Sequence, residues 1–154
     1  EIAHGLMALG FAPGERASIL ANTVVEWVLA DLGVLSAGGV SNGIYPTDSA
    51  DQTHYLCEDS ASVILFVEDD EQLDKALEVR ARLPRVRKIV VFDMDGLRGL
   101  NDPGVISLDA LRELGREHRA AQERVIQAQA EILDERRRQQ ATEDLVTRLK
   151  HELR

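Results

Sequence analysis

The chain has 154 residues, 44% apolar and 29% charged, the make-up of a globular chain rather than of a disordered or collagen-like one. Eighteen Lys and Arg stand against 27 Asp and Glu, a net charge of −9. That sign argues against a nucleic-acid scaffold, which needs a surplus of cations for phosphate, and against an anionic membrane surface as the main partner.

Taken in chain order, Ile2, Leu6 and Leu9 lie at helical spacing, and Gly10 breaks the run. Pro13-Gly14-Glu15-Arg16 is a turn. Ala17 to Ala21 reads as a short buried strand, and Asn22 and Thr23 offer caps to the helix that follows. That helix, Val24 to Ala37, is apolar around most of its circumference, which predicts deep packing. Gly38-Gly39 ends it, and Val40 to Tyr45 forms a second strand stopped by Pro46. Thr47-Asp48-Ser49 caps a helix through about Asp59. Ser62 to Glu68 is a third strand, Asp69 to Leu83 an amphipathic helix ended by Pro84, and Lys88 to Asp93 a fourth strand. Nearly wholly apolar strands that alternate with helices predict the α/β class: a parallel sheet of about four strands with helices on both faces.

Ser107 then caps a helix carrying Leu108, Leu111 and Leu114. Beyond it the chain changes character. All six aromatic residues precede residue 93, and no glycine follows Gly115. Residues 116–154 hold nine Lys and Arg against eight Asp and Glu, so the acidity belongs to the first 115. Val125, Ile126, Ala130 and Leu133 make one stripe and Leu145, Leu149 and Leu153 another, with only Ala141 apolar between Asp134 and Asp144. A heptad seam would not lapse for so long, and a long, solvated, charge-balanced helix is expected. The predicted division is a domain over residues 1–118 and a charged helical tail over 119–154.

Three acidic or histidine segments invite a chemical reading. Val91-Phe92-Asp93-Met94-Asp95-Gly96 resembles the entry motif of haloacid-dehalogenase phosphotransferases, in which the first Asp is a nucleophile, the second an acid/base, and both help to hold magnesium. Asp93 and Asp95 are the candidate residues of that alternative, but that fold needs further strands after the motif, and the 58 residues that follow read as helix. The bland reading is a turn at the sheet's edge. Ile64-Leu65-Phe66-Val67-Glu68-Asp69-Asp70-Glu71 is similar to the acidic pocket strand of response-regulator receivers, but the next strand-terminal acid, Asp93, lies one βα unit on instead of two. It reads as a helix start whose acids suit the dipole. His151-Glu152-Leu153-Arg154 resembles the phosphoacceptor box of sensor kinases, without a continuation, and reads as a solvated helical turn. A further non-enzymatic alternative is an interaction module built on the tail.

The single cysteine, Cys57, excludes an internal disulfide and a cysteine-based zinc cage, and it reads as a packing residue in a reducing, cytoplasmic setting. His4, His54, His118 and His151 show no metal-ligand pairing with one another or with Cys57. The phosphate-loop and dinucleotide glycine fingerprints are absent, as is any apolar run of the ~20 residues a membrane span needs. The chain opens on Glu1-Ile2-Ala3-His4, with neither Met nor a basic start, which predicts a piece of something longer with no signal peptide. Catalytic, cofactor-binding and metal residues are therefore expected to be none.

The ordered series of landmarks carries a family resemblance. Ile2-Ala3-His4-Gly5-Leu6 leads to Pro13-Gly14-Glu15-Arg16 and Ala21-Asn22, then Glu26-Trp27, Asp31-Leu32-Gly33, Ala37-Gly38-Gly39-Val40, Gly43-Ile44-Tyr45-Pro46-Thr47, Asp59-Ser60 and Phe66-Val67-Glu68-Asp69. Over about residues 1–118 this resembles the N-terminal subdomain of AMP-forming acyl-CoA synthetases of the long-chain fatty-acid type. The resemblance implies a parent with ATP, magnesium and coenzyme A as cofactors and fatty acid as substrate. It implies a cytoplasmic enzyme, with peripheral membrane placement as a further expectation. For Tyr45 and Pro46, at a strand end, it offers two roles, shaping the substrate side or a structural turn, and the turn is the expectation. The family's phosphate loop and C-terminal lysine domain have no counterpart here, so no catalytic residue transfers. Asn42 departs from the family's usual apolar residue or Pro, and the sequence after about Gln122 departs from its pattern.

Overall fold

The computed structural model describes residues 1–152. The chain divides into two units, Glu1–His118 and one that begins at Arg119. In the first, α1 (Ile2–Ala8) precedes β1 (Arg16–Leu20), α2 (Val25–Ser36), β2 (Val40–Ile44), α3 (Ala50–Asp59) and β3 (Ile64–Val67). Then come α4 (Asp70–Val79), a 3-10 turn (Arg80–Arg82), β4 (Lys88–Val91), β5 (Val105–Ser107) and α5 (Leu108–Glu152), whose residues 108–118 belong to this unit. All pairings are parallel and the order is β2-β1-β3-β4-β5.

The strands are apolar on both sides because both sides are covered. Ile19, Ile64, Phe66 and Val90 face a core built with α1, α2 and the start of α5, including Ile2, Leu6, Ala30, Val34 and Leu111. The alternate residues Leu20, Leu65, Val67, Ile89 and Val91 face a second core with Cys57 of α3 and Leu73, Ala76 and Val79 of α4. Period-two alternation thus sends each strand's apolar set to two cores at once, as a sheet buried on both faces requires.

The expected caps hold at α3 and α5, and α4 has one that was not predicted. Ser49 and Gln52 form a reciprocal capping box on α3, with bonds of 3.2 and 2.8 Å. Asp69 caps α4 by accepting from the Gln72 amide, and Ser107 caps α5 by accepting from that of Ala110. At α2 the expectation fails. Its N-cap is Val24 with no side-chain bond, so the helix starts later than Asn22 and Thr23 would place it.

Two further expectations change. The sheet has a fifth strand, β5, three residues long and paired only with β4. And α2 is not deeply packed: it buries Ala30, Gly33 and Val34, while Val25, Val28, Leu32 and Leu35 form an exposed stripe on its other side. Only one layer covers this helix.

Two helices meet backbone to backbone. A Cβ at Gly5 of α1 would collide with the Leu111 carbonyl of α5, and one at Gly115 with the Glu1 carbonyl and the Gly5 amide. Glycine at both positions lets α1 and α5 cross in contact.

The second unit is helical throughout its described length, and every residue from Arg119 to His151 is exposed. Its side chains pair along the helix, Arg119 with Glu123 at 2.8 Å and Arg138 with Asp134 at 2.6 Å. Leu153 of the second stripe, and Leu153 and Arg154 of the C-terminal quartet, lie outside the described residues. No helix among the described residues is long and apolar enough to cross a membrane.

Candidate functional site at the carboxyl edge of the sheet

In an open parallel sheet, ligands gather outside the carboxyl ends of the strands, where the strand order reverses. Here that point lies between β1 and β3, since the chain runs from β1 outward to β2 and then back past β1 to β3. The pairs Leu20 with Ile44, Leu20 with Val67, and Val67 with Val91 align the strand ends, so Ala21, Tyr45, Glu68 and Phe92 emerge at one edge.

The reversal point is bridged by the chain itself. Glu68 accepts from the Asn22 amide at 2.6 Å and from Asn22 Nδ2 at 2.9 Å through one oxygen, Oε2. The clamp ties the loop after β1 to the end of β3. No sequence motif pointed to it, although both residues follow apolar strands, where polar groups at a carboxyl edge are to be expected.

Two small cavities flank this clamp, one on each side of the first turn of α2. One, of about 250 Å³, is lined by Ala21, Thr23, Trp27, Gly43, Ile44 and Tyr45. The other, of about 280 Å³, is lined by Val24, Glu26, Glu68, Asp69, Phe92 and Asp93. Both fall below the roughly 300–1,000 Å³ of a pocket that encloses a drug-sized ligand. Neither has a Lys or Arg in its lining, and the second carries four carboxylates, so its field repels phosphate.

The acidic segments take their places at this edge as turn and cap. Asp93 Oδ1 accepts from the Asp95 amide at 2.9 Å, an Asx turn, and Gly96 completes it in the left-handed region at φ +82°. The Asp93 amide donates to the Glu68 carbonyl at 2.7 Å and continues the sheet. Asp93 lines the acidic cavity and Asp95 does not. Among the described residues no three His, Cys, Asp or Glu side chains gather to hold a metal. Tyr45 is exposed, and the Pro46 carbonyl accepts from Lys75 Nζ at 2.6 Å, which fastens the turn after β2 to α4.

Cys57 is buried on α3, as expected. Burial pushes its thiol up to about 11, and a hydrogen bond with Ser18 pulls the other way. Two of the histidines are brought together. His4 and His118, for which the sequence showed no metal-ligand spacing, meet with their Nδ1 atoms 3.4 Å apart. The α1–α5 glycine crossing causes this, and residues 114 positions apart give no spacing signal.

Compared with known proteins, the chain matches the AMP-binding enzyme family over residues 1–140. It belongs to that family. Among curated relatives, the long-chain-fatty-acid–CoA ligase ACSBG2 of Xenopus laevis is 37% identical over 90 residues, 58% of this chain and 12% of the relative. FadD15 of Mycobacterium bovis, also a long-chain-fatty-acid–CoA ligase, is 33% identical over 99 residues, 64% of this chain and 16% of its own. ACSBG1 of Bos taurus, another, is 30% identical over 117 residues, 76% and 16%. The chain thus spans 12–16% of the length of these relatives. Among solved structures, an anthranilate CoA ligase bound to anthranoyl-AMP superposes with a TM-score of 0.57 at 27% identity, over 59% of this chain and 17% of that one. Acetoacetyl-CoA synthetase from Streptomyces lividans shares the fold, with a TM-score of 0.62 at 24% identity over 71% and 18%. Neither the comparisons nor the geometry support the phosphotransferase or the interaction-module alternative.

Proposed function

We propose that this AMP-binding-family chain is part of a long-chain fatty acyl-CoA ligase and supplies scaffold rather than chemistry. In the whole enzyme, ATP and a fatty acid give an acyl-adenylate and pyrophosphate, and the thiol of coenzyme A then displaces AMP. Magnesium supplies shielding of phosphate charge in the first step. The observation that carries the reading is the family match over residues 1–140 joined to long-chain ligases among the relatives.

On this reading the described residues leave ATP, magnesium and coenzyme A to the rest of the enzyme. The carboxyl edge is acidic, its cavities are small, and its reversal point is bridged by Asn22 and Glu68. The exposed apolar stripe of α2 fits a role as one layer of a larger domain, since a helix apolar all round is normally covered all round. A subdomain over residues 1–118 with a tail over 119–154 is supported by the division of the chain after His118, while the family match runs on to residue 140. A cytoplasmic location with peripheral membrane contact suits an enzyme of fatty acids.

Two measurements test this. Pyrophosphate release from ATP and palmitate by the isolated chain is expected to be nil, and turnover would overturn the scaffold role. The flanking coding sequence is expected to encode a Thr/Ser/Gly-rich phosphate loop with its lysine; its absence from every frame would overturn the parentage.

A further inference from the structure

His4 and His118 sit on two rigid supports. His4 precedes Gly5 on α1, His118 follows Gly115 by one helical turn on α5, and those two glycines are where the helices touch. Both rings are half-buried. Their centroids are 5.6 Å apart and their planes inclined by 47°, so the rings meet at their Nδ1 edges without stacking. As a hydrogen bond the 3.4 Å contact is long, beyond the roughly 2.7–3.2 Å of good ones. Two nitrogens that each lie about 2.0–2.1 Å from one tetrahedral cation have this separation, and a small rotation of both rings would turn their Nδ1 atoms, now aimed nearly at each other, towards one point. His4 also lines an open groove between α1 and α2, which gives solvent a path to the pair. The neighbouring Arg116 is engaged by Glu1 and Glu113.

We propose that His4 and His118 form a two-histidine site for a borderline divalent cation of the Zn2+ or Ni2+ class, which staples α1 to α5. Neutral imidazole suits these ions, whereas magnesium and calcium take oxygen ligands. Two protein nitrogens leave the other positions to water, so the site binds less tightly than a structural zinc cage. Because the cation bridges two elements that separate on unfolding, occupancy stabilises the fold. The proposal is independent of the ligase reading.

The test uses the untagged chain with ZnCl2 or NiCl2 as probe. One equivalent should bind, reversed by EDTA, and Tm should rise by about 3–6 °C at saturation. His4→Gln and His118→Gln should each abolish the rise, His54→Gln should keep it, and MgCl2 should give none. In the unaltered protein, the imidazole NMR signals of His4 and His118 should shift on titration with Zn2+ while those of His54 and His151 stay. That readout needs no variant to fold. An equal rise in His4→Gln, no binding, or signals that move at His54 or His151 instead would each overturn the proposal.

Discussion

Cys57 shows how a single residue can register the fold in solution. Its thiol is buried between α3 and β1, and desolvation raises it to about 11, against roughly 8.5 for a thiol in an unfolded chain. The folded protein therefore keeps the proton over a range where the unfolded chain has lost it. The associated stability is fully present below pH ~8.5 and is lost as pH rises towards about 11, on the order of 3 kcal/mol in all. Urea melts of the native chain and of Cys57→Ala should differ by a constant amount between pH 6 and 8. The difference should then shift against the native chain as pH rises to 11. A parallel pair of profiles would refute the assignment. This residue was legible from the sequence, because a cysteine beside Leu56 on an apolar helical face has few other roles. So were Asp93 and Asp95 as turn acids, from the glycine that follows them. The Asn22–Glu68 clamp was not, because 46 positions separate two residues that only the β1–β3 pairing joins.

At the scale of elements, periodicity reads what a segment is and leaves open what it touches. The helices and four of the strands followed from apolar spacing and from caps such as Ser49 and Ser107. The strand β5 escaped because three residues, Val105–Ser107, carry too little pattern, and the cap of the next helix lies within it. The depth of α2 was misjudged for a related reason: an all-apolar circumference states that a helix can be buried, not that this chain holds both layers. The α1–α5 crossing is the sharpest case, since Gly5 and Gly115 look like ordinary interruptions in helical runs. Helix propensity alone predicts that alanine at either position gains about 1 kcal/mol. The crossing predicts the opposite sign, because the new methyl group meets backbone that cannot yield without the helices parting. Gly5→Ala and Gly115→Ala should each destabilise the fold by about 1–3 kcal/mol. Gln129→Ala, at an exposed position of α5, should be neutral or slightly stabilising. Thermal melts that rank the three variants together would show that the backbones do not meet.

For the molecule as a whole, the uneven charge is the organising fact. Residues 1–115 carry the excess acid, and the more balanced remainder coincides closely with the unit that begins at Arg119. The two units draw on different sources of stability. The first has two cores around a parallel sheet and should unfold cooperatively. The second buries none of Arg119 to His151, and its support is local: helix propensity and i,i+4 pairs such as Arg119 with Glu123, each worth about 0.2–0.5 kcal/mol. Such a helix melts gradually, since its described residues to His151 are all exposed and each turn depends on its neighbours along the helix. Circular dichroism at 222 nm should therefore show a broad, shallow loss of helix on heating, overlaid on one sharp transition. Truncation after His118 should remove the broad component and leave the midpoint of the sharp one within about 2 °C, because both cores of the sheet unit are built from residues before 119. A midpoint that falls by more than about 5 °C would mean that residues beyond 118 support the sheet unit energetically. The boundary would then have to move towards residue 140, where the family match ends.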